Sequence, residues 1–147
     1  MKCYDHKLKE VIALKIIKNK KKLHKQGKIE INLLELLRDN DEEDERNIVR
    51  IKDSFTFRNH VCIVFECLNM NLYQFIKNNE FQGFSAALTK RFASQVLISL
   101  DYMRKFEIVH CDLKPENVLL VKPNKSQVKL IDFGSSCFEK ERYYTYI

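Results

Sequence analysis

The chain has 147 residues, 45% hydrophobic and 31% charged, so it can bury a core and is not a disordered tail. Three glycines and two prolines exclude collagen-like and proline-rich architectures, and Lys+Arg 26 against Asp+Glu 20 leaves +6, too modest an excess to argue by itself for nucleic acid. The cysteines (Cys3, Cys62, Cys67, Cys111, Cys137) are odd in number and lie in or beside apolar runs, which suits reduced thiols in an intracellular protein better than a secreted disulfide scaffold. Met1 to His6 opens no apolar leader, and no apolar run approaches the length of a bilayer span. The expectation is an intracellular, cytoplasmic protein, with the nucleus left open and no membrane partner.

The β-branched run Glu10 to Ile17 predicts a buried strand, and Tyr4 to Lys9 before it reads as the turn of a hairpin. From Leu23 to Leu37 the spacing turns helical, with Ile29, Leu33, Leu36 and Leu37 on one stripe and Ile31 and Leu34 widening it. The acidic loop Asp39 to Glu45 ends that helix. Two strands follow, Ile48 to Phe57 and His60 to Glu66, joined by a turn at Arg58-Asn59. A short helix is expected at Leu72 to Ile76. A long one follows, capped by Ser85 and running to about Lys105, with Leu88, Phe92, Val96, Leu100 and Met103 on one stripe. Short strands are predicted around Ile108-Val109, Val118 to Val121 and Val128 to Ile131. The order describes an α+β chain in two parts, residues 1–68 and 69–147, divided near Leu68 to Asn71. The apolar faces of the two later helices are expected to lack cover, which predicts an aggregation-prone chain.

The chemistry concentrates in His110-Cys111-Asp112-Leu113-Lys114-Pro115-Glu116-Asn117, with Ile131-Asp132-Phe133-Gly134 downstream. An aspartate, an asparagine after four intervening residues, and an aspartate leading Phe-Gly match the catalytic set of protein kinases. Phosphoryl transfer is mostly positioning and charge neutralisation, so it needs a carboxylate near the incoming hydroxyl and oxygen ligands for magnesium. Asn117 and Asp132 offer such oxygens. Ile12-Ala13-Leu14-Lys15 independently fits the Val-Ala-Ile-Lys pattern on a strand. Glu30 and Glu35 on the next helix are rival partners for Lys15, and the Glu-Ile-x-x-Leu frame favours Glu30 by its likeness to kinases. Glu66-Cys67-Leu68, after a strand ending in Phe65, reads as a connector between the two parts.

Taken singly, each residue has a plainer reading. Lys15 could snorkel from a strand, Glu30 could face solvent, and Asp112 and Asp132 could form turns. Two turn formers do not account for Lys114, Asn117 and Phe133-Gly134 at these spacings. Lys18, Lys20, Lys21, Lys22, Lys25 and Lys28 read as a solvated approach to the helix, because no aromatics interleave them as nucleic-acid binding would require. Cys62 and Cys67 lack the second pair or histidine cluster of a zinc site.

The whole chain resembles the eukaryotic protein kinases, and more narrowly the dual-specificity tyrosine-regulated kinases (the DYRK family). The narrower likeness rests on His110-Cys111-Asp112, with cysteine where most kinases have arginine, on Asp132 to Cys137, on Tyr144-Thr145-Tyr146-Ile147, and on Asn71-Leu72-Tyr73, Asn79 to Phe84 and Arg91-Phe92-Ala93. The resemblance implies a two-lobe kinase-like fold, truncated to an incomplete β-rich first lobe and the first part of the helical second lobe. It implies ATP and Mg2+ as cofactors, protein substrates and a monomer. Asp112 would orient and deprotonate the substrate hydroxyl, and Lys114 would steady the transferring phosphate. Lys15, held by Glu30, would grip the α- and β-phosphates. Asn117 and Asp132 would hold magnesium, and Ala13 and Leu119 would sandwich adenine. Phe65 would gate the pocket behind it, and backbone groups of Glu66 to Leu68 would bind the base. His110 would be structural, packing toward Phe133. Transfer would go to serine and threonine of proteins, with Tyr146 as the tyrosine autophosphorylated in the activation segment.

No glycine-rich loop occurs among the residues before Lys15, since the glycines are Gly27, Gly83 and Gly134, and no Ala-Pro-Glu element occurs within the 147 residues. The expectation is therefore an internal fragment of a kinase domain, with its activity alone left open. The rival expectation is a non-catalytic kinase-like scaffold module or pseudogene product. Retention of Lys15, Asp112, Asn117 and Asp132 favours the enzyme.

Overall fold

A computed structural model describes residues 1–141 of the chain. Tyr146 lies outside the described residues. The predicted first strand is β2 (Glu10–Ile16), paired antiparallel with β1 (Lys2–Asp5). Asp5 accepts from the backbone N–H of Lys7 (2.8 Å) and Leu8 (3.0 Å), so the side chain itself closes the turn. Tyr4 and Asp5 thus belong to the strand, and the turn proper falls on residues 6–9. With β3 (Ile51–Phe57) and β4 (His60–Glu66), the strands form an antiparallel sheet of order β1-β2-β4-β3. β4 is central, and its unbroken apolar run Val61 to Val64 is buried throughout.

Helix α1 (Lys21–Asp39) packs on this sheet through Leu33, Leu34 and Leu37, each 1% exposed or less. It starts on a run of lysines with no side-chain cap, an arrangement that opposes the helix dipole. The helix is therefore held by what it buries further along. The lysines Lys21, Lys22, Lys25 and Lys28 lie inside the helix, on its exposed side, and are not merely its approach.

The predicted strand at Ile48 to Phe57 begins three residues late, at Ile51. The reason is a competing partner. Ile48 bridges Leu130 in parallel, Val49 N–H donates to Leu130 (3.0 Å), and Leu130 N–H donates to Asn47 (2.8 Å). Residues 47–49 therefore hydrogen-bond to the second part of the chain and cannot join the sheet.

In that second part, α2 (Leu72–Asn78) is capped by Asn71 and α3 (Ala86–Lys105) by Ser85, whose hydroxyl accepts from Leu88 N–H (3.2 Å). Two short ribbons complete it: β5 (Ile108–Val109) with β8 (Cys137–Phe138), and β6 (Val118–Leu120) with β7 (Val128–Leu130). The sequence shows no sign of β8, because two residues carry no periodicity.

The stripe expected to lie bare on α3 is in fact covered. Phe92 and Met103 are 4% and 1% exposed, and Leu88, Val96 and Leu100 pack on the same core. The stripe faces β7 and β5 within the chain, and Phe75, Phe84 and Phe92 stack beside it at 5.3 to 6.5 Å. The large exposed apolar residues of α3 are instead Leu97 (64%) and Ile98 (42%). One hydrophobic cluster runs from Leu33 and Ile63 through Ile51 to Leu130, Met103 and Phe133, so both parts share a core. Among the described residues no helix is long and apolar enough to cross a membrane.

This packing separates two substitutions on one helix. Phe92→Ala should lower unfolding free energy by roughly 3–5 kcal/mol and Leu97→Ala by less than about 0.5 kcal/mol, measured by urea denaturation.

Candidate active site

A cleft of about 350 Å³ opens between β2, β4 and the β6–β7 ribbon. Ala13, Lys15, Glu30, Phe65, Glu66, Leu68, Leu119 and Asp132, all singled out from sequence, line it. Met1, Val49 and Ile131 line it too and carry no distinguishing signal in the sequence, being apolar residues beside strand ends. Ala13 and Leu119 supply apolar surface. Phe65 sits directly opposite Ala13 in the β2–β4 pairing.

At one end of the cleft three charges meet. Lys15 Nζ donates to both oxygens of Glu30 (2.7 and 2.9 Å) and to Asp132 Oδ1 (2.8 Å). Glu30 is 1% exposed, so the lysine is what makes its ionised form tolerable. Burial pushes the Glu30 carboxyl up from its ordinary value, with Lys15 pulling it back. Burial also works against the Lys15 charge, but the two carboxylates outweigh it and hold the ammonium above its usual value. Asp132 lies below the usual carboxylate value: its partial burial is overcome by Lys15 and by the Gly134 N–H. A Cβ on Gly134 would stand 3.2 Å from both Lys15 Nζ and Asp132 Oδ1, so glycine leaves room for the cluster. Of the rival partners for Lys15, Glu30 makes the contact and Glu35 does not.

The second group is built on the turn after β5. Lys114 Nζ reaches both oxygens of Asp112 (3.0 and 2.9 Å), and the Asn117 amide donates to the Asp112 carbonyl (2.8 Å) and carboxylate (3.0 Å). Lys114 first, and Asn117 with it, hold the Asp112 carboxyl below its usual value, so it is ionised at neutral pH. Cys111 (φ 64°) and Asp132 (φ 61°) both adopt the left-handed conformation that L residues rarely take.

His110 ties the two groups together. Its Nε2 donates to the Ile131 carbonyl (2.9 Å), and its Nδ1 accepts from Asp112 N–H (3.2 Å). That pair of bonds requires the neutral Nε2–H tautomer, and burial keeps the ring below its ordinary histidine value. Its ring meets fully buried Phe133 edge-on at 5.1 Å, the packing expected of it. Asn117 accepts Ile131 N–H through its carbonyl (2.9 Å), a second tie between the segments. Among the described residues, Asn117 Oδ1 and Asp132 Oδ2 carry no hydrogen bond, and both are hard oxygens of the kind magnesium takes.

Residues 1–146 match the family model for the protein kinase domain. The chain belongs to the protein kinase family. It is 52% identical over 144 residues to dual specificity tyrosine-phosphorylation-regulated kinase 3 of Homo sapiens, covering 98% of this chain and 24% of that protein. It is 52% identical over 146 residues to human dual specificity tyrosine-phosphorylation-regulated kinase 4, covering 99% of this chain and 28% of that protein. A putative homolog of kinase 3 from Drosophila melanogaster is 53% identical over 147 residues, with all of this chain and 18% of that protein matched. The resemblance to dual-specificity tyrosine-regulated kinases thus holds along nearly the whole chain, which spans about a quarter or less of these relatives. The α+β, two-lobe kinase fold in truncated form is what the structure contains.

The charge cluster makes a pH test. Lys15→Met removes the cation from buried Glu30, which then favours its protonated form when folded. A carboxyl whose folded pKa exceeds its unfolded value binds more protons in the folded state, so lowering pH stabilises the fold. The thermal midpoint of Lys15→Met should therefore lie below wild type at about pH 7 and close on it toward about pH 5. Glu30→Gln should not show that convergence.

Proposed function

We propose that this chain carries the nucleotide-binding and phosphoryl-transfer centre of an ATP-dependent protein kinase, with residues 1–68 as the partial first lobe and 69–147 as the partial second. The observation that carries the reading is the convergence of Lys15, Glu30 and Asp132 at one end of an apolar cleft. Ala13 and Leu119 hold the flat base between them, Phe65 bounds the pocket behind it, and backbone groups of Glu66 to Leu68 bind the base edge. Lys15, fixed by Glu30, neutralises the α- and β-phosphates. Asn117 and Asp132 would hold Mg2+, which when bound offsets phosphate charge.

Asp112 is ionised and hydrogen-bonded by Lys114 and Asn117, so it can orient a substrate hydroxyl and take its proton as that oxygen bonds to the γ-phosphorus of ATP and the bond from that phosphorus to the β,γ-bridging oxygen breaks, with ADP leaving. Lys114 then stands beside the transferring phosphoryl group, where its charge opposes the negative charge there. The acceptors are serine and threonine hydroxyls of other proteins, with Tyr146 as the site of autophosphorylation. Protein substrates, a monomeric state, no nucleic-acid partner and a cytoplasmic or nuclear setting complete the reading.

The test has two arms. Binding of a fluorescent ATP analogue in the presence of magnesium should be lost in Lys15→Met and Asp132→Asn; unchanged affinity in both would mean the site is misassigned. Asp112→Asn should keep nucleotide binding yet lower phosphate transfer to casein by about 10²–10⁴-fold. Nucleotide binding by wild type with no transfer to any protein would favour the scaffold reading.

A further inference from the structure

Lys129 heads the fully buried side chains by size, at 2% exposure, on β7 between Val128 and Leu130. Its Nζ contacts both oxygens of Asp44 (2.8 and 2.6 Å) and Glu66 Oε1 (2.6 Å). A lysine enclosed this way is costly unless paired, and an apolar residue would fill a strand interior at no such cost. The phosphate end of the cleft does not use it. Its partners come from two distant segments, the acidic loop after α1 and the last residue of β4.

Glu66 is where this matters. It lines the cleft where the connector begins, and its Oε1 is held by Lys129 of β7. There Glu66 Oε1 also accepts from Arg50 N–H (2.7 Å), while Glu66 N–H donates to the Arg50 carbonyl (3.1 Å). The ammonium is thus a post to which the connector and the Asp44 loop are both tied.

We infer that Lys129 is a positioning residue for the nucleotide base: through Glu66 it fixes the Glu66 to Leu68 connector against β7 and sets the spacing of the base end of the cleft. The inference rests on the nucleotide-binding reading. It predicts a division of labour, because the phosphate end is held by Lys15 and Asp132, which Lys129 does not touch. Loosening the tie weakens recognition of the base and leaves phosphate recognition intact. A merely structural role would weaken both together or neither.

The experiment compares magnesium-dependent binding of ATP and of inorganic tripolyphosphate to the 147-residue chain and its variants. Lys129→Met alone leaves two carboxylates facing each other without a cation, so two gentler variants decide. Glu66→Ala leaves Lys129 paired with Asp44, and the double variant Lys129→Met/Asp44→Asn leaves Glu66 with its Arg50 contact. Both should weaken ATP roughly tenfold while tripolyphosphate stays within about twofold. If ATP affinity holds in either variant, or tripolyphosphate falls in parallel, the inference is overturned and the nucleotide reading stands. A wild-type chain that fails to bind ATP overturns both.

Discussion

The ion cluster of Lys15, Glu30 and Asp132 is the constraint on which the rest of the molecule depends. It joins a strand, a helix and a segment 117 positions further along, and its anchor, Glu30, lies inside the packed face of α1. A carboxylate there without a cation is among the more costly things a small fold can contain. The position of α1 on the sheet and the return of the chain after β7 are therefore coupled: neither can shift far without leaving a buried charge unmatched. The same coupling puts a cation and two carboxylates at one end of an apolar cleft.

Around this cluster the backbone departs from the ordinary at two non-glycine positions, Cys111 and Asp132, in the segments that hold the reactive groups. His110 makes that arrangement rigid. As a neutral ring it donates to one segment, accepts from the other and stacks on Phe133, which is wholly buried. The strain is thus supported by a hydrogen-bonded and aromatic brace, so the carboxylates are placed by the fold.

Much of the site was legible in the sequence because its residue types are improbable together: Asp112, Lys114 and Asn117 in one short turn, then Asp132 before Phe-Gly. The preference for Glu30 over Glu35 was also readable, though only through likeness to a known frame, since both lie on a helix of uniform character. Lys129 was not legible. In Val128-Lys129-Leu130 it looks like a strand lysine facing water, and Asp44 looks like one more acid in a solvated loop. Their meeting depends on tertiary contacts that no local period encodes. The predicted strand at Ile48 failed for a related reason. Hydrophobicity says that Ile48 and Val49 are buried, but not which ribbon claims their hydrogen bonds.

That claim by the second ribbon has a mechanical consequence. The stretch from Asn47 to Val49 is stitched to β7, and α3 reaches the same region by the Ser99 hydroxyl on Asn47 (3.0 Å) and the Tyr102 hydroxyl on Leu37 (3.0 Å). The end of α1 and the loop behind it therefore travel with the helical half. Widening the cleft would strain both crossings of the chain, at Arg50-Ile51 and at the Glu66 to Leu68 connector, and would pull against the tail of α1, which packs on the sheet while it is hydrogen-bonded to the helical half.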